Sequence, residues 1–190
     1  SRVNAYMPAQ TREGQIPVPV FRMLGSDPIY QYDNCVGGAL QGVISLEPVY
    51  GDSGGSRQWV EWFFRSMFEE PCLAFAYTQA GQENSFTWGS MEKGLNIQIP
   101  LMANRFRKGE IRVETLTRSG EWFRENFPVT PPTAVTALTD YREKDRKTVW
   151  YNSRYYRTNL LWEGGTLCIR DIHMFDQRME SDYYRKAGTT

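Results

Sequence analysis

Histidine is almost missing: 190 residues contain one, His173. A multi-histidine metal site cannot be assembled from this chain alone. Any Ser-His-Asp or Cys-His device would have to use that residue. Cysteine is scarce as well. Cys35, Cys72 and Cys168 are odd in number and far apart, with no CxxC pair, which argues against a zinc ribbon or a thioredoxin-type site. They read as buried or half-buried thiols, with one disulfide and one free thiol as the alternative. No dense basic run occurs, and 22 acidic residues balance 22 basic ones. Nucleic-acid binding by phosphate neutralisation therefore has little support. No apolar run is long enough to cross a bilayer. The opening SRVNAYMPAQTREGQ is polar and lacks the apolar stretch of a secretory signal. No residue pattern calls for a metal or an organic cofactor.

What is present is core-forming material. Hydrophobic residues make up 41% and aromatics 14%, enough for a packed interior and against intrinsic disorder. Chemistry that runs without histidine is favoured, and paired carboxylates are the commonest such device.

Short apolar runs alternate with segments of helical period. IPVPVFRML (16–24) is apolar and β-branched and stops at the turn signal Gly25-Ser26-Asp27-Pro28. GVISLEP (42–48) is a second run, followed by the loop GDSGGS (51–56). In RQWVEWFFRSMFEE (57–70), Val60, Phe63, Phe64, Met67 and Phe68 share a helical face, with Ser56 as N-cap and Pro71 as terminator. Its tryptophans read as core. Cys72–Tyr77 is a third strand-like run. Residues 91–107 read as a helix that Pro100 should kink and Lys108-Gly109 should end. Ile111–Leu116 is a fourth run, and Ser119 can cap the short helix GEWFRENF. Right-handed crossovers would make these strands parallel neighbours. Ala134–Leu138 would be one more barrel strand. The tail changes character: two aromatic-rich runs between 148 and 175 flank Glu163-Gly164-Gly165, a hairpin signal. The expected fold is α/β, the later part of a (β/α) barrel over 1–140 with a β-hairpin-rich segment over 141–190.

In parallel barrels the chemistry sits beyond the carboxyl ends of the strands. Asp27 follows the first run, Glu47 the second and Glu83 the third, while Glu114 lies within the fourth. Glycosidic cleavage needs one carboxyl to protonate the leaving oxygen and another to attack the sugar or activate water. Glu47, Glu83 and Asp27 are the candidate catalytic residues. Gln82, Asn84, Trp88, Tyr50 and Tyr77 supply amides and flat apolar faces for a sugar. Each acid also has a bland reading: Asp27 starts a turn, Glu114 points outward to a basic partner, and the glutamates are loop charges. His173 reads as a structural histidine bonded to a nearby acid.

The stretches PVFRMLGSDPIYQYD, GQENSFTW, IRVETLTRSGEWFRENFP and VWYNSRYYRTNLLWEGGTLCIRDIHMFD resemble an uncharacterised gut-bacterial family of glycoside-hydrolase-like proteins, over roughly 17 to 184. The resemblance implies a distorted barrel similar to polysaccharide deacetylases and family 57 glycosidases, with further barrel strands upstream and a β-rich domain downstream in the same polypeptide. It implies a carbohydrate substrate and fits a secreted or periplasmic setting. It assigns no catalytic residue. The rival expectations are a non-catalytic carbohydrate-binding or structural segment, and part of a metal-dependent deacetylase whose ligands lie upstream.

Overall fold

Amphipathic period decides where the central helix of this chain forms, and the computed structural model shows it. It describes residues 8–21, 25–34, 42–81 and 86–179. The elements are α1 (Gln31–Asn34), α2 (Arg57–Phe68), α3 (Trp88–Arg107), α4 (Leu116–Asn126), β1 (Thr133–Ala137), β2 (Lys147–Asn152), β3 (Tyr156–Glu163) and β4 (Thr166–Met174). The protein is mixed α/β, with four helices followed by an open four-stranded antiparallel sheet of order β1-β2-β3-β4.

Helix α2 is the centre of the core. Trp59, Val60, Trp62, Phe63, Phe64 and Met67 are all buried, and Ser56 precedes it in extended conformation. Trp59 stacks on Phe63 with centroids 4.8 Å apart. Against this face pack Ile29, Tyr30, Leu46 and Ala137. Each buried Val, Ile, Leu, Phe or Met side chain here contributes about 1.5–3 kcal/mol of transfer free energy. Helix α3 runs through Pro100 and starts three residues before the expected boundary at 91. Helix α4 is capped by Thr115, whose hydroxyl accepts from the Arg118 amide, rather than by Ser119. The residues expected to end the fourth strand thus open a helix.

The parallel barrel is the main correction: among the described residues no barrel and no parallel strand pair occurs. Residues 43–46 make a single antiparallel bridge, Ser26 to Ser45, and residues 72–77 another, Leu73 to Thr133. Residues 111–115 and 16–21 form no strand. Leu73 supplies a local reason, since its φ of 67° lies in the left-handed region that strands avoid. Ala134–Leu138 is not a barrel strand either: β1 pairs antiparallel with β2. The tail matches its expectation. Strands β3 and β4 form an antiparallel hairpin turning at Gly164 and Gly165, with φ of 56° and 78°, values a side chain would strain.

One irregularity shapes the sheet. Asn159 pairs with Asp171 but Leu160 with Ile169, so Arg170 is an extra residue, a β-bulge. The bulge turns Arg170 to the inner face. There it donates to Asn159 Oδ1 at 2.7 Å and to the carbonyls of Ile29 and Pro28 at 2.6 and 3.1 Å. Cys168 is exposed and free, against the expectation of a buried thiol; Cys72 is half-buried and free; Cys35 lies outside the described residues.

Candidate functional site

Asp27 sits where a turn signal meets the core. Its Oδ1 accepts from the amides of Ile29 and Tyr30 at 2.8 and 2.7 Å, and its Oδ2 from Trp59 Nε1 at 2.9 Å. It is 3% exposed. Burial pushes its carboxyl above the usual range, while the Tyr30 amide, the Trp59 indole and the Ile29 amide pull the other way. These contacts make Asp27 the acceptor that caps the 28–34 turn and bolts it to α2. The turn-forming reading of Asp27 accounts for its geometry; an open catalytic face does not.

A second polar cluster, centred on Asp140, extends from this turn. Tyr30 donates its hydroxyl to the Asp140 carboxylate, with 2.8 and 2.7 Å to its two oxygens. Asp140 also accepts from the amides of Arg142, Lys144 and Arg146 at 2.9, 3.2 and 3.2 Å, closing the 140–146 loop around one carboxylate. Burial first, then Asp140, pushes the Tyr30 phenol up. Tyr141 is pushed up to about 12, chiefly by burial and next by the Asp27 charge. Arg146 meets Asp33 at 2.7 Å and Glu163 at 3.1 Å, and Arg170 meets Asp33 at 3.2 Å. An acid at the mouth of a charged turn, as in Thr139-Asp140-Tyr141, is the signal that could have found Asp140.

Glu47 stands at the end of the other bridged segment, half-buried. Its amide donates to Ser45 Oγ at 3.3 Å and its carbonyl accepts from the Tyr50 amide at 3.2 Å. The loop that follows folds tightly: the Tyr50 carbonyl takes the amides of Ser53 and Gly55 at 3.1 and 2.8 Å. From α3, Gln98 donates to the carbonyls of Leu46 and Gly54, both at 2.7 Å. A Cβ on Gly54 would stand 2.1 Å from the Glu47 carbonyl, and one on Gly94 would stand 2.3 Å from that of Pro48. Glu47 is thereby held on a rigid loop that α3 clamps from behind.

The antiparallel bridge sets the spacing of the two described acids. The Asp27 amide donates to the Ile44 carbonyl and the Leu46 amide to the Gly25 carbonyl. Asp27 is level with Ile44, and Glu47 lies three residues further along, about 10 Å away along the strand. The side chain of Asp27 is spent on Trp59. Its carboxyl is committed to the turn and to α2, and its backbone is set apart from that of Glu47 by the strand spacing. The chain just after the third strand-like segment passes close by at one point: a Cβ on Gly25 would stand 3.6 Å from Leu46 Cβ and 4.0 Å from the Gln79 carbonyl. Glu83, Gln82 and Asn84 lie outside the described residues.

The remaining candidates disperse. Tyr50 is half-buried in the loop after Glu47, and Trp88 is 60% exposed at the start of α3. Tyr77 packs on Phe21 at 4.9 Å and lines an apolar cleft of about 550 Å³, shared with Phe75, Phe123 and Phe127. Burial pushes its phenol up. Glu114 points outward, accepting from Ser119 and pairing with Arg112 at 3.6 Å. His173 is exposed beside Phe175, with ring centroids 5.0 Å apart.

Comparison with protein-family models, with curated proteins and with solved structures finds no match for the chain.

Proposed function

We propose that the chain belongs to a carbohydrate-active protein of the glycoside-hydrolase kind, with Glu47 as one catalytic carboxyl and Glu83 as its partner. The observation that supports it is the junction of three segments. Residues 25–27 pair with 44–46, and Gln79 lies beside Gly25. Glu47 and the chain leading to Glu83 therefore leave from one place. Glu47 is half-buried on a clamped loop, the kind of support a reacting carboxyl needs.

The same proposal carries the finer fold, the later part of a (β/α) barrel. Val18, Val43 and Val113 lie in non-helical segments and face solvent, at 66%, 44% and 61% exposure. Branched apolar residues left in water ahead of α2 and between α3 and α4 are what a parallel sheet would present if its remaining strands came from further polypeptide. Tyr77 and the cleft beside it would then face those strands. A carbohydrate-binding segment without catalysis is the second reading, favoured by the use of Asp27 as a structural cap.

Glu47→Gln and Glu83→Gln in the polypeptide that carries this chain, assayed for reducing-sugar release from a polysaccharide panel, decide between them. Loss of at least 100-fold in rate with melting temperature held within 2 °C is the expected result, since removal of one of two reacting carboxyls leaves the other without a partner. Cleavage that survives both substitutions overturns the assignment. Glycan binding without cleavage in the parent protein establishes the second reading.

A further inference from the structure

The register assigns each strand residue to a face. On one face lie Thr148, Trp150, Asn159 and Leu161, turned to the 27–34 turn and the core. On the other, Tyr156 pairs with Met174, Thr158 with Ile172, Leu160 with Ile169 and Trp162 with Leu167. Val149 and Tyr151 extend this second face across β2. The bulge at Arg170 keeps Ile169 and Ile172 on the same side. Nothing in the alternation of a solvent-facing sheet asks for such residues: an outward face should be polar.

Met174, Ile169, Ile172, Leu167 and Tyr156 are 69%, 63%, 61%, 53% and 39% exposed. Among the described elements, α1 meets the sheet through Tyr32 at Trp150 and Arg170, on the inner face, and α2 meets it through β1. Lys147, at the rim opposite Trp162, is the one charged residue that the register puts on this face, and it pairs with Asp145 at 3.3 Å. Taking on the order of 200 Å² for a large apolar side chain, these five present roughly 550 Å². A contiguous apolar patch of that size lies at the upper end of what a single chain exposes, where such patches are often functional.

We propose that this sheet face is the interface of a symmetric dimer of the chain. The face is uncharged inside its rim, so a second copy meets it without like-charge repulsion, and a two-fold axis places the same patch on both sides. The buried total is about 1,100 Å² from the five exposed residues, above the roughly 1,000 Å² that a specific interface requires. Val149, Leu160 and Trp162 add to it. Two twisted antiparallel sheets pack face to face about 10 Å apart at about 30°, so the assembly is a β-sandwich with one sheet from each copy. The inference is independent of the chemistry proposed at Glu47.

Sedimentation equilibrium of the 190-residue chain between about 1 and 100 μM tests it. The expected result is twice the chain mass at the upper concentrations. The double variant Ile169→Lys/Ile172→Lys is expected to weaken association at least 100-fold, because four ammonium groups would meet in a dry interface. Far- and near-ultraviolet circular dichroism should be unchanged, since both side chains face water in one copy. Val113→Lys, exposed outside the sheet, should leave the dimer intact. A single-chain mass at 100 μM, or association unaffected by the double variant, overturns the proposal. So does a face that becomes protected only when further polypeptide or another protein is added.

Discussion

Replacing Asp27 by alanine should unfold this protein before it disables any chemistry. The carboxylate takes three N–H donors, from Ile29, Tyr30 and the Trp59 indole, at 2.7 to 2.9 Å. Alanine leaves all three without their acceptor. The two amides regain some partners as the turn relaxes, but Trp59 is fully buried, at 0% exposure, and its indole has no water to turn to. One unsatisfied buried donor costs about 1–3 kcal/mol, and the bonds to a charged acceptor are worth about 1.5–3 kcal/mol each. Relief of the buried charge offsets part of this. The net loss expected is about 3–4 kcal/mol, or a fall in melting temperature of roughly 6–16 °C for a domain of this size. Urea denaturation followed by tryptophan fluorescence measures it. Asp27→Asn should lose about half as much, because its carbonyl oxygen still caps the turn while its amide confronts the indole. If Asp27→Ala costs under 1 kcal/mol and leaves fluorescence unchanged, Trp59 is not held as described and the capping role is wrong.

Two further outcomes are expected. At alkaline pH the unfolded tyrosines ionise near 10, whereas Tyr141 in the folded protein holds its proton to about 12. The folded form then binds more protons than the unfolded one, so the urea midpoint should fall steadily from pH 10 to 12, less steeply in Tyr141→Phe. Gly94→Ala should destabilise by about 2 kcal/mol or more through collision with Pro48 and tilt the loop that carries Glu47. Gly89→Ala, in the same helix with open space around it, should be neutral or stabilise by up to about 1 kcal/mol; calorimetry of the pair compares them.

Helices and the last hairpin were legible because their signals are local. The apolar face of α2 and the paired glycines after Glu163 each operate within a few residues, whereas the Ser56 side chain makes no cap bond. Strands were not legible in the same way. An apolar run such as Cys72–Tyr77 becomes a strand only if a neighbour offers a ladder, and Leu73 breaks its extension before any could form. The direction of pairing is also non-local, which is why β1 read as a barrel strand and is antiparallel. Of the site, the turn at Asp27 could be read from the following proline, but its bond to Trp59 spans 32 residues. The Asp140 cluster gathers donors from a charged loop and a tyrosine 110 residues away, and no spacing announces it.

The bulge at Arg170 divides β4 into two stretches whose inside and outside residues are out of phase. Up to Ile169 the odd positions look outward; from Asp171 on, the even ones do. Deleting Arg170 would make the ladder regular and leave Ile169, Asp171 and Ile172 on their present sides, whereas straightening the bulge without a deletion would carry Asp171 out and Ile172 in. The extra residue acts as a phase lock: the guanidinium tied to Pro28 and Ile29 fixes which half of the strand belongs to which side.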